Sequence, residues 1–348
     1  MKILLLNDEF YTTGASIAML RLAERLVQNH EVSVLPRREG EGDIKKKFQA
    51  LGVPIVNDVG DAEVVVSNGI LSGSLAAKIA PNCPVIWWIH EAEIGREAIL
   101  VYPQVAPGFK TASHIVFQTE FQRIVYGTFL FDSPAKTHVL PFWNDAIYRQ
   151  EDLAPKPKQR KRIVCIGTIE KRKRPQDVIL AIDALPPGLR DEVECLFIGK
   201  YIELDPAARQ LAESQPERYR FMGELPNEEA LRYLASADAY VLASNSESQP
   251  LTIWEAFELE VPVCLSDLET YRYVGLAHGR NALLHPTGNS QMLASNLELL
   301  LSHADLRREI VRAGKSLLLS KLSRDWADEF ERIIYQVQTE SVIKKMGY

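Results

Sequence analysis

The chain has 348 residues, of which 46% are hydrophobic and 25% charged, an ordinary composition for a globular protein. This length exceeds one ordinary α/β core, so we expect two domains. The formal net charge of −6 argues against a dedicated nucleic-acid binder, because that function needs clustered excess Lys and Arg. We therefore expect no nucleic-acid partner.

The cysteines and the apolar runs indicate the compartment. Cys83, Cys165, Cys195 and Cys264 lie far apart in apolar runs and form no C-x-x-C pair, which favours buried reduced thiols over disulfides or a metal site. No apolar run approaches the roughly 18 residues of a membrane span, and the initial MKILLL is too short for a signal peptide. We expect a cytoplasmic protein, and peripheral binding at the inner face of the membrane is an added possibility.

Short apolar runs alternate with amphipathic stretches through the first half of the chain. Residues 2–6 predict a buried strand, and residues 12–28 predict a helix with a broad apolar face. Further strands are predicted at 31–35, 53–56, 62–68, 85–90, 114–119 and 137–142. Strands separated in this way imply βαβ units and a mostly parallel sheet.

A charged segment with two prolines, residues 149–162, predicts a linker. The alternation then resumes, with strands or helices predicted at 162–167, 174–185, 193–200, 219–225, 227–237, 239–244, 250–260 and 262–267. Residues 323–338 predict a closing amphipathic helix. We therefore predict an α/β protein with two Rossmann-like, doubly wound parallel sheets, at 1–148 and 163–322. Ligands of such folds bind beside the loops that follow the strands.

Two of these loops have residues that suit a phosphate group. Gly14 opens the first predicted helix, where backbone N–H groups could approach an anion, and an ordinary helix cap is the alternative. Four consecutive cations at 171–174 follow the strand that ends at Gly167. They could bind a pyrophosphate, and a solvated basic loop is the alternative.

Other candidates are a histidine and two glutamates. His90 ends the strand VIWWIH and could donate to a sugar hydroxyl or a phosphate oxygen, unless it is structural. Glu247 lies in the loop after AYVLAS, and Glu255 follows in the second turn of the helix at 250–260. Carboxylates accept from vicinal hydroxyls of sugars, while the N–H groups of Leu251 and Thr252 could face an anion. A capped surface helix with two solvated glutamates is the alternative.

Several motifs of other enzyme classes are missing from the sequence. There is no D-x-D triplet to bring a metal to a diphosphate, so we expect cations and helix N-termini to neutralise its charge. There is also no P-loop and no G-x-S-x-G elbow, which counts against an NTPase and an α/β-hydrolase.

In these segments the chain resembles the retaining glycosyltransferases of family 4, which have the GT-B fold of two Rossmann-like domains facing a central cleft. Glu247 and Glu255 match the family's E-x7-E motif, and Lys173 in IGTIEKRKRPQD falls on the lysine of its basic pair. The resemblance implies that Glu247 contacts the donor sugar, Glu255 the ribose and Lys173 the diphosphate.

The resemblance extends to further positions along the chain. It places the backbone near Leu225 against the base, Gly14 on the glycine loop and His90 beside the donor sugar. Asp145 matches the end of the first domain, and the helix at 323–348 resembles one that packs back toward the N-terminal domain.

Three departures from the family pattern affect the donor site. Thr168 stands where the family usually has an arginine, so Arg172 or Arg174 could replace it, or Lys173 could act alone. The glycine loop has one glycine, and Ser248, Gln249 and Pro250 stand where glycines often follow the first motif glutamate.

The resemblance implies transfer of a hexosyl unit, with retention, from a UDP- or GDP-linked sugar to a hydroxyl of a glycan, lipid-linked or small-molecule acceptor. No metal or other cofactor is expected. The predicted catalytic residues are Glu247, His90 and Lys173. The predicted donor-binding residues are Gly14, Arg172, Lys173, Leu225, Glu247, Leu251, Thr252 and Glu255. The alternatives are a sugar-nucleotide epimerase on the same fold and a non-catalytic sugar-nucleotide-binding partner subunit.

The acceptor is expected on the N-terminal domain, around 67–70, 90–95 and 96–110. Trp87 and Trp88 could stack on a sugar there or belong to the core. Arg37, Arg38 and the lysines at 45–47 could contact an anionic membrane, and a solvated charged face is the alternative.

Overall fold

The computed structural model describes residues 1–38, 40–143, 153–322 and 325–347. It divides into two compact units, which are Met1–Phe142 with Arg324–Tyr348 (unit 1) and Trp143–Ser323 (unit 2). Asp145 and the first four positions of the predicted linker lie outside the described residues.

Unit 1 is built on a parallel sheet whose strands alternate with helices along the chain. The strands are β1 (Lys2–Asn7), β2 (Glu31–Pro36), β3 (Val64–Asn68), β4 (Val85–Ile89), β5 (His114–Phe117) and β6 (Lys136–Val139). The helices are α1 (Gly14–Leu26), α2 (Asp43–Ala50), α3 (Gly73–Ile79), α4 (Glu93–Val101), α5 (Gly108–Thr111), α6 (Glu120–Val125) and α7 (Gly127–Leu130), with 3-10 turns at Ile70–Ser72 and Pro103–Val105. The strand order is β2-β1-β3-β4-β5-β6.

Unit 2 repeats this architecture. Its strands are β7 (Lys161–Ile166), β8 (Val193–Ile198), β9 (Tyr219–Gly223), β10 (Ala239–Leu242), β11 (Val263–Ser266) and β12 (Leu283–His285). Its helices are α8 (Pro175–Asp183), α9 (Pro187–Arg190), α10 (Pro206–Glu213), α11 (Asn227–Ala235), α12 (Leu251–Glu258), α13 (Glu269–Tyr273), α14 (Ser290–Ser302) and α15 (Ala304–Leu322), with a 3-10 turn at Lys171–Lys173. The strand order is β12-β11-β10-β7-β8-β9, and all paired strands are parallel.

The last helix, α16 (Trp326–Lys345), belongs to unit 1. Asp325 caps its N-terminus by accepting from the backbone N–H groups of Ala327 and Asp328. Its aromatic side chains cover Trp88 on β4, with ring centroids 4.7 Å from Phe330 and 5.9 Å from Trp326. Burial of these large rings fixes α16 on one face of the sheet.

The two adjacent tryptophans of β4 point to opposite faces of the sheet, as successive strand residues do. Trp87 packs against Phe109 at 4.7 Å, in the cluster that includes Ile89 and Ile115. Both tryptophans are 0% exposed. They are therefore core residues, and stacking on a sugar, the other interpretation, is wrong.

The strand predicted at 53–56 is also wrong, because within the described part of the chain this segment forms only a single bridge, between Val34 and Ile55. Pro54 has no N–H group, so this segment cannot extend a ladder along β2. The described helices include none that is both long enough and apolar enough to cross a membrane.

Candidate functional site

The loop after β7 folds into a tight turn of cations. Gly167 has φ 145°, which glycine adopts readily, and a Cβ at Gly199 would lie 2.2 Å from the carbonyl oxygen of Gly167. The backbones at the ends of β7 and β8 therefore approach closely. The 3-10 turn Lys171–Lys173 follows, and Arg174, at φ 50°, precedes α8.

Glu247 lies against this turn. The backbone N–H of Asn245 donates to the carbonyl of Arg172 at 2.9 Å, which ties the loop after β10 to the turn. Oε1 of Glu247 accepts from Lys173 Nζ at 2.5 Å, Arg172 at 3.3 Å and Ser244 Oγ at 2.6 Å. Among the described residues, every hydrogen bond of this carboxylate falls on Oε1, which leaves Oε2 to face other groups.

The charge of Glu247 is stabilised by its neighbours. Burial raises the pKa of this carboxyl group, but the charges of Lys173 and Arg172, with the hydrogen bonds from Lys173 and Ser244, lower it further. The net effect is a lowered pKa, so Glu247 is ionised at neutral pH. Arg172 also donates to Glu170 at 2.8 Å. The cluster therefore contains two cations, Arg172 and Lys173, and two carboxylates, Glu170 and Glu247, so its formal charges cancel.

The structure separates the two arginines that could replace the arginine missing at Thr168. Arg172 contacts Glu247 and the carbonyl of Ser246. Arg174 instead makes a bidentate pair with Asp177, at 2.6 and 2.9 Å. Of the two, Arg172 therefore lies in the cluster with Lys173 and Glu247.

Helix α12 begins at Leu251, one residue later than predicted, because Pro250 has an extended ψ of 119°. Among the residues that the structure describes, no side chain caps this N-terminus, where the N–H groups of Leu251 and Thr252 lie. The Thr252 hydroxyl is 2.6 Å from the Tyr240 hydroxyl. Glu255 is 7% exposed and Glu247 9%, so the alternative of two solvated glutamates is wrong.

A small pocket adjoins the cation turn in unit 2. Polar and apolar residues from the ends of β7 and β10 line it, among them Gly167, Thr168, Lys173 and Ala243. Leu225 is half-buried in the loop between β9 and α11. Because the paired strands are parallel, this loop lies at the same edge of the sheet as the cation turn.

His90 lies in unit 1, directly after β4. Its Nδ1 is 2.7 Å from Nε2 of Gln118, and burial lowers the pKa of the ring to about 3. The carboxylate of the half-buried Glu91 accepts from the backbone N–H groups of Ile70 and His90, at 2.9 and 3.2 Å. The sequence interpretation did not single out Gln118, although it lies near the end of a predicted strand, and it included Glu91 only within the range 90–95 expected for the acceptor.

Gly14 is the exposed first residue of α1, and a Cβ there would meet no atom within 4 Å. The Thr13 hydroxyl caps the helix by accepting from the N–H of Ser16 at 3.1 Å. Packing therefore does not require glycine at this position.

Three of the five basic residues considered for membrane contact pair with acids of unit 1. Arg37 contacts Asp8, and Lys45 contacts Glu41. Lys46 lies 3.6 Å from Asp43. Within the described ranges, no group of three or more His, Cys, Asp or Glu residues is placed to hold a metal ion.

The two parallel α/β units define the GT-B fold, which confirms the predicted fold class. Anabaena HepE, solved in complex with UDP-glucose, is similar with a TM-score of 0.77 and 15% identity, over 97% of this chain and 100% of that one. Residues 149–317 match the family model of glycosyl transferases group 1. This segment, just under half of the chain, is therefore similar to the glycosyltransferase domains of that family, which supports the predicted class of enzyme.

Two curated relatives have named activities. An alpha-galactosylglucosyldiacylglycerol synthase of Streptococcus pneumoniae is 25% identical over 173 residues, which cover 49% of this chain and 45% of that protein. The chain thus matches less than half of that relative's length. An α-1,4-N-acetyl-D-galactosaminyltransferase of Campylobacter jejuni, whose name includes a diphosphoundecaprenol-linked glycan, is 23% identical over 94% of this chain and 97% of its own length.

Proposed function

We propose that the protein is a retaining glycosyltransferase of family 4 that transfers a hexosyl unit from a nucleoside diphosphate sugar to an acceptor hydroxyl. The observation that supports this best is the cluster of Lys173, Arg172 and Glu247 beside the N-terminus of α12. It combines two cations for a diphosphate with a buried, ionised carboxylate for sugar hydroxyls.

The cluster suggests how the leaving group is stabilised. As the bond to the anomeric carbon breaks, negative charge develops on the diphosphate. Lys173, Arg172 and the N–H groups of Leu251 and Thr252 can interact with that charge. The donor would then compete with Glu247 for both cations, and it would need no metal ion or other cofactor.

Glu247 is better suited to binding than to nucleophilic attack. Its Oε1 already accepts three hydrogen bonds, and its pKa is lowered, which weakens its basicity. We propose that it binds hydroxyls of the donor sugar, that Glu255 binds the ribose and that His90 contacts the sugar. The departing phosphate would accept the proton of the acceptor hydroxyl on the same face, which gives retention.

The similar proteins support one donor class and one acceptor class. HepE is described as binding UDP-glucose, which supports a UDP-linked hexose, with GDP as the alternative nucleotide. The names of both curated relatives include a lipid or a lipid-linked glycan, which supports a lipid-linked acceptor. A cytoplasmic protein that associates weakly with the membrane surface would meet such an acceptor.

The test is a calorimetric and thermal-shift screen of nucleotides and nucleotide sugars, followed by transfer assays. One donor should stabilise the protein by about 2.7 kcal/mol at a concentration 100 times its Kd. Lys173→Ala and Glu247→Gln should each lower the rate of transfer at least about tenfold, a loss of roughly 1.4 kcal/mol. NMR of the product should show the donor's anomeric configuration, with and without EDTA.

Three results would contradict the proposal in different ways. Conversion of the donor without an acceptor would indicate an epimerase. Donor binding without turnover across an acceptor panel would indicate a non-catalytic subunit. Normal transfer by both variants would show that the site has been misplaced.

A further inference from the structure

His90 is fixed in unit 1 by contacts on its backbone and on its ring. Its backbone N–H donates to Glu91, and its carbonyl accepts from Nε2 of Gln122 at 2.8 Å. The ring packs on Trp88, with centroids 4.6 Å apart, and Nδ1 lies 2.7 Å from Nε2 of Gln118. The orientation of the imidazole therefore depends on these neighbours.

Gln118 is itself held by Gln122, which is fully buried. Oε1 of Gln122 accepts from the backbone N–H groups of Gln118, at 2.6 Å, and Thr119, at 3.1 Å. Since that oxygen is occupied by two donors, the amide nitrogen of Gln122 is the group that faces the His90 carbonyl. This capping box at the start of α6 places the Gln118 side chain on the ring.

An amide NH₂ group can only donate, so Nδ1 of His90 must accept from it, and the proton of a neutral imidazole then lies on Nε2. We propose that Gln118 is a positioning residue that fixes His90 in the Nε2–H tautomer, so that His90 serves as a hydrogen-bond donor to the sugar and not as a general base. This inference rests on the proposed function, in which His90 contacts the donor sugar.

The surroundings keep the ring neutral. Burial lowers the pKa of His90 to about 3, so the tautomer persists across the physiological pH range. Glu91, whose carboxylate contacts the His90 backbone, has a pKa that burial raises, and the nearby charge of Asp8 raises it too. The hydrogen bonds of the Glu91 carboxylate run to backbone N–H groups.

The first test is NMR of the ligand-free protein with ¹⁵N-labelled histidine. Among the seven histidines, His90 is assigned by its loss in His90→Gln. The ¹⁵N chemical shift of Nδ1 should be that of an unprotonated nitrogen, and the chemical shift of Nε2 should be that of a protonated nitrogen. Both should stay unchanged from about pH 5.5 to 8.5. A protonated Nδ1, or a ring that titrates near its ordinary value of about 6.5, would overturn the proposal.

The second test reverses the hydrogen bond. Gln118→Glu puts an acceptor beside Nδ1, which should move a proton there, lower kcat/KM about tenfold and introduce a pH dependence that the wild type lacks. Gln118→Met removes the donor without adding charge and should show intermediate loss with a mixture of tautomers, even where Gln118→Glu folds poorly. Gln49→Glu makes the same charge change at an exposed site on α2 and should match the wild type.

The two tests separate this inference from the proposed function. The NMR experiment needs no substrate, so the tautomer can be established even where no nucleotide sugar binds. If transfer is observed and Gln118→Glu folds with the wild-type rate and pH profile, the positioning role is wrong and the glycosyltransferase assignment stands.

Discussion

At Glu247, three donors meet on one carboxylate oxygen, and two of them are cations. These contacts hold Lys173 and Arg172 in one arrangement before any ligand arrives. A long cationic side chain otherwise loses roughly 0.5–1.5 kcal/mol of rotamer entropy when a ligand immobilises it. The buried carboxylate thus preorganises the cations that the proposed donor would use.

The first prediction concerns Arg172. Arg172→Ala should weaken UDP binding about tenfold, roughly 1.4 kcal/mol, because a planar guanidinium is lost beside the diphosphate. Lys171→Ala is the matched control, since Lys171 is an exposed cation in the same 3-10 turn. Calorimetric titration of both variants with UDP checks this, and equal losses would mean that only the overall charge of the turn matters.

The sequence predicted where charged groups lie but not how they pair. The spacing of Glu247 and Glu255 and the run of cations at 171–174 are visible in the sequence. The choice of Arg172 over Arg174 depends on the left-handed φ of Arg174 and on its pair with Asp177. Neither this backbone conformation nor this ion pair was predicted from the sequence.

At the scale of elements, the packing of α12 against α15 depends on one glycine. A Cβ at Gly314 would lie 2.4 Å from the buried ring of Phe257 on α12. The ring is in the core and cannot withdraw into solvent. The helix that contains Glu255 therefore packs closely on a neighbour that tolerates no side chain at this point.

The second prediction follows from that contact. Gly314→Ala should destabilise the protein by about 1–3 kcal/mol through overpacking, even though alanine favours a helix by about 1 kcal/mol over glycine. Gly188→Ala is the matched control, since a Cβ there would meet no atom within 4 Å. Urea denaturation followed by circular dichroism distinguishes them, and a stabilised Gly314→Ala would contradict the prediction.

Several elements with strong hydrophobic patterns were predicted well, whereas the long helices α14 and α15 and some short elements were not predicted. The helix predicted at 250–260 is observed at Leu251–Glu258, and the strand at 162–167 at Lys161–Ile166. β12 has only three residues, too few to show a period, and was not predicted. Segment 53–56 has the apolar composition of a strand, but its proline prevents a ladder.

At the scale of the whole molecule, buried neutral histidines make stability depend on pH. Burial lowers the pKa of His90 to about 3 and that of His285 to about 4. The unfolded chain protonates these groups near pH 6.5 and the folded chain does not, so the unfolded state binds more protons between those values. Stability is therefore fully present above about pH 6.5 and falls as the pH decreases.

The third prediction gives the size of that effect. Each such histidine should remove up to about 1.4 kcal/mol per pH unit between roughly pH 6.5 and 4. Urea midpoints measured at several pH values should fall steadily, and His285→Gln should flatten the dependence. His303→Gln changes an exposed histidine and is the control. A midpoint that is constant from about pH 7 to 5 would contradict the prediction.

The alternation of strands and helices was enough to predict two parallel α/β units. The amphipathic pattern of 323–338 showed that this helix has a buried face but not which surface covers it. In the structure that surface is Trp88 of β4, more than 230 positions earlier in the chain than Trp326. A hydrophobic period describes only one helix, so it cannot identify so distant a partner.

The membership of α16 in unit 1 has a consequence for protein synthesis. Unit 2 is one continuous stretch, Trp143–Ser323, whereas unit 1 needs residues from both sides of it. At about 5–20 residues per second, a ribosome takes roughly 10–40 s to pass from the end of β6 to α16. During that interval the face of Trp88 is uncovered on the nascent chain while all of unit 2 is being made. The unit that begins first is therefore completed last.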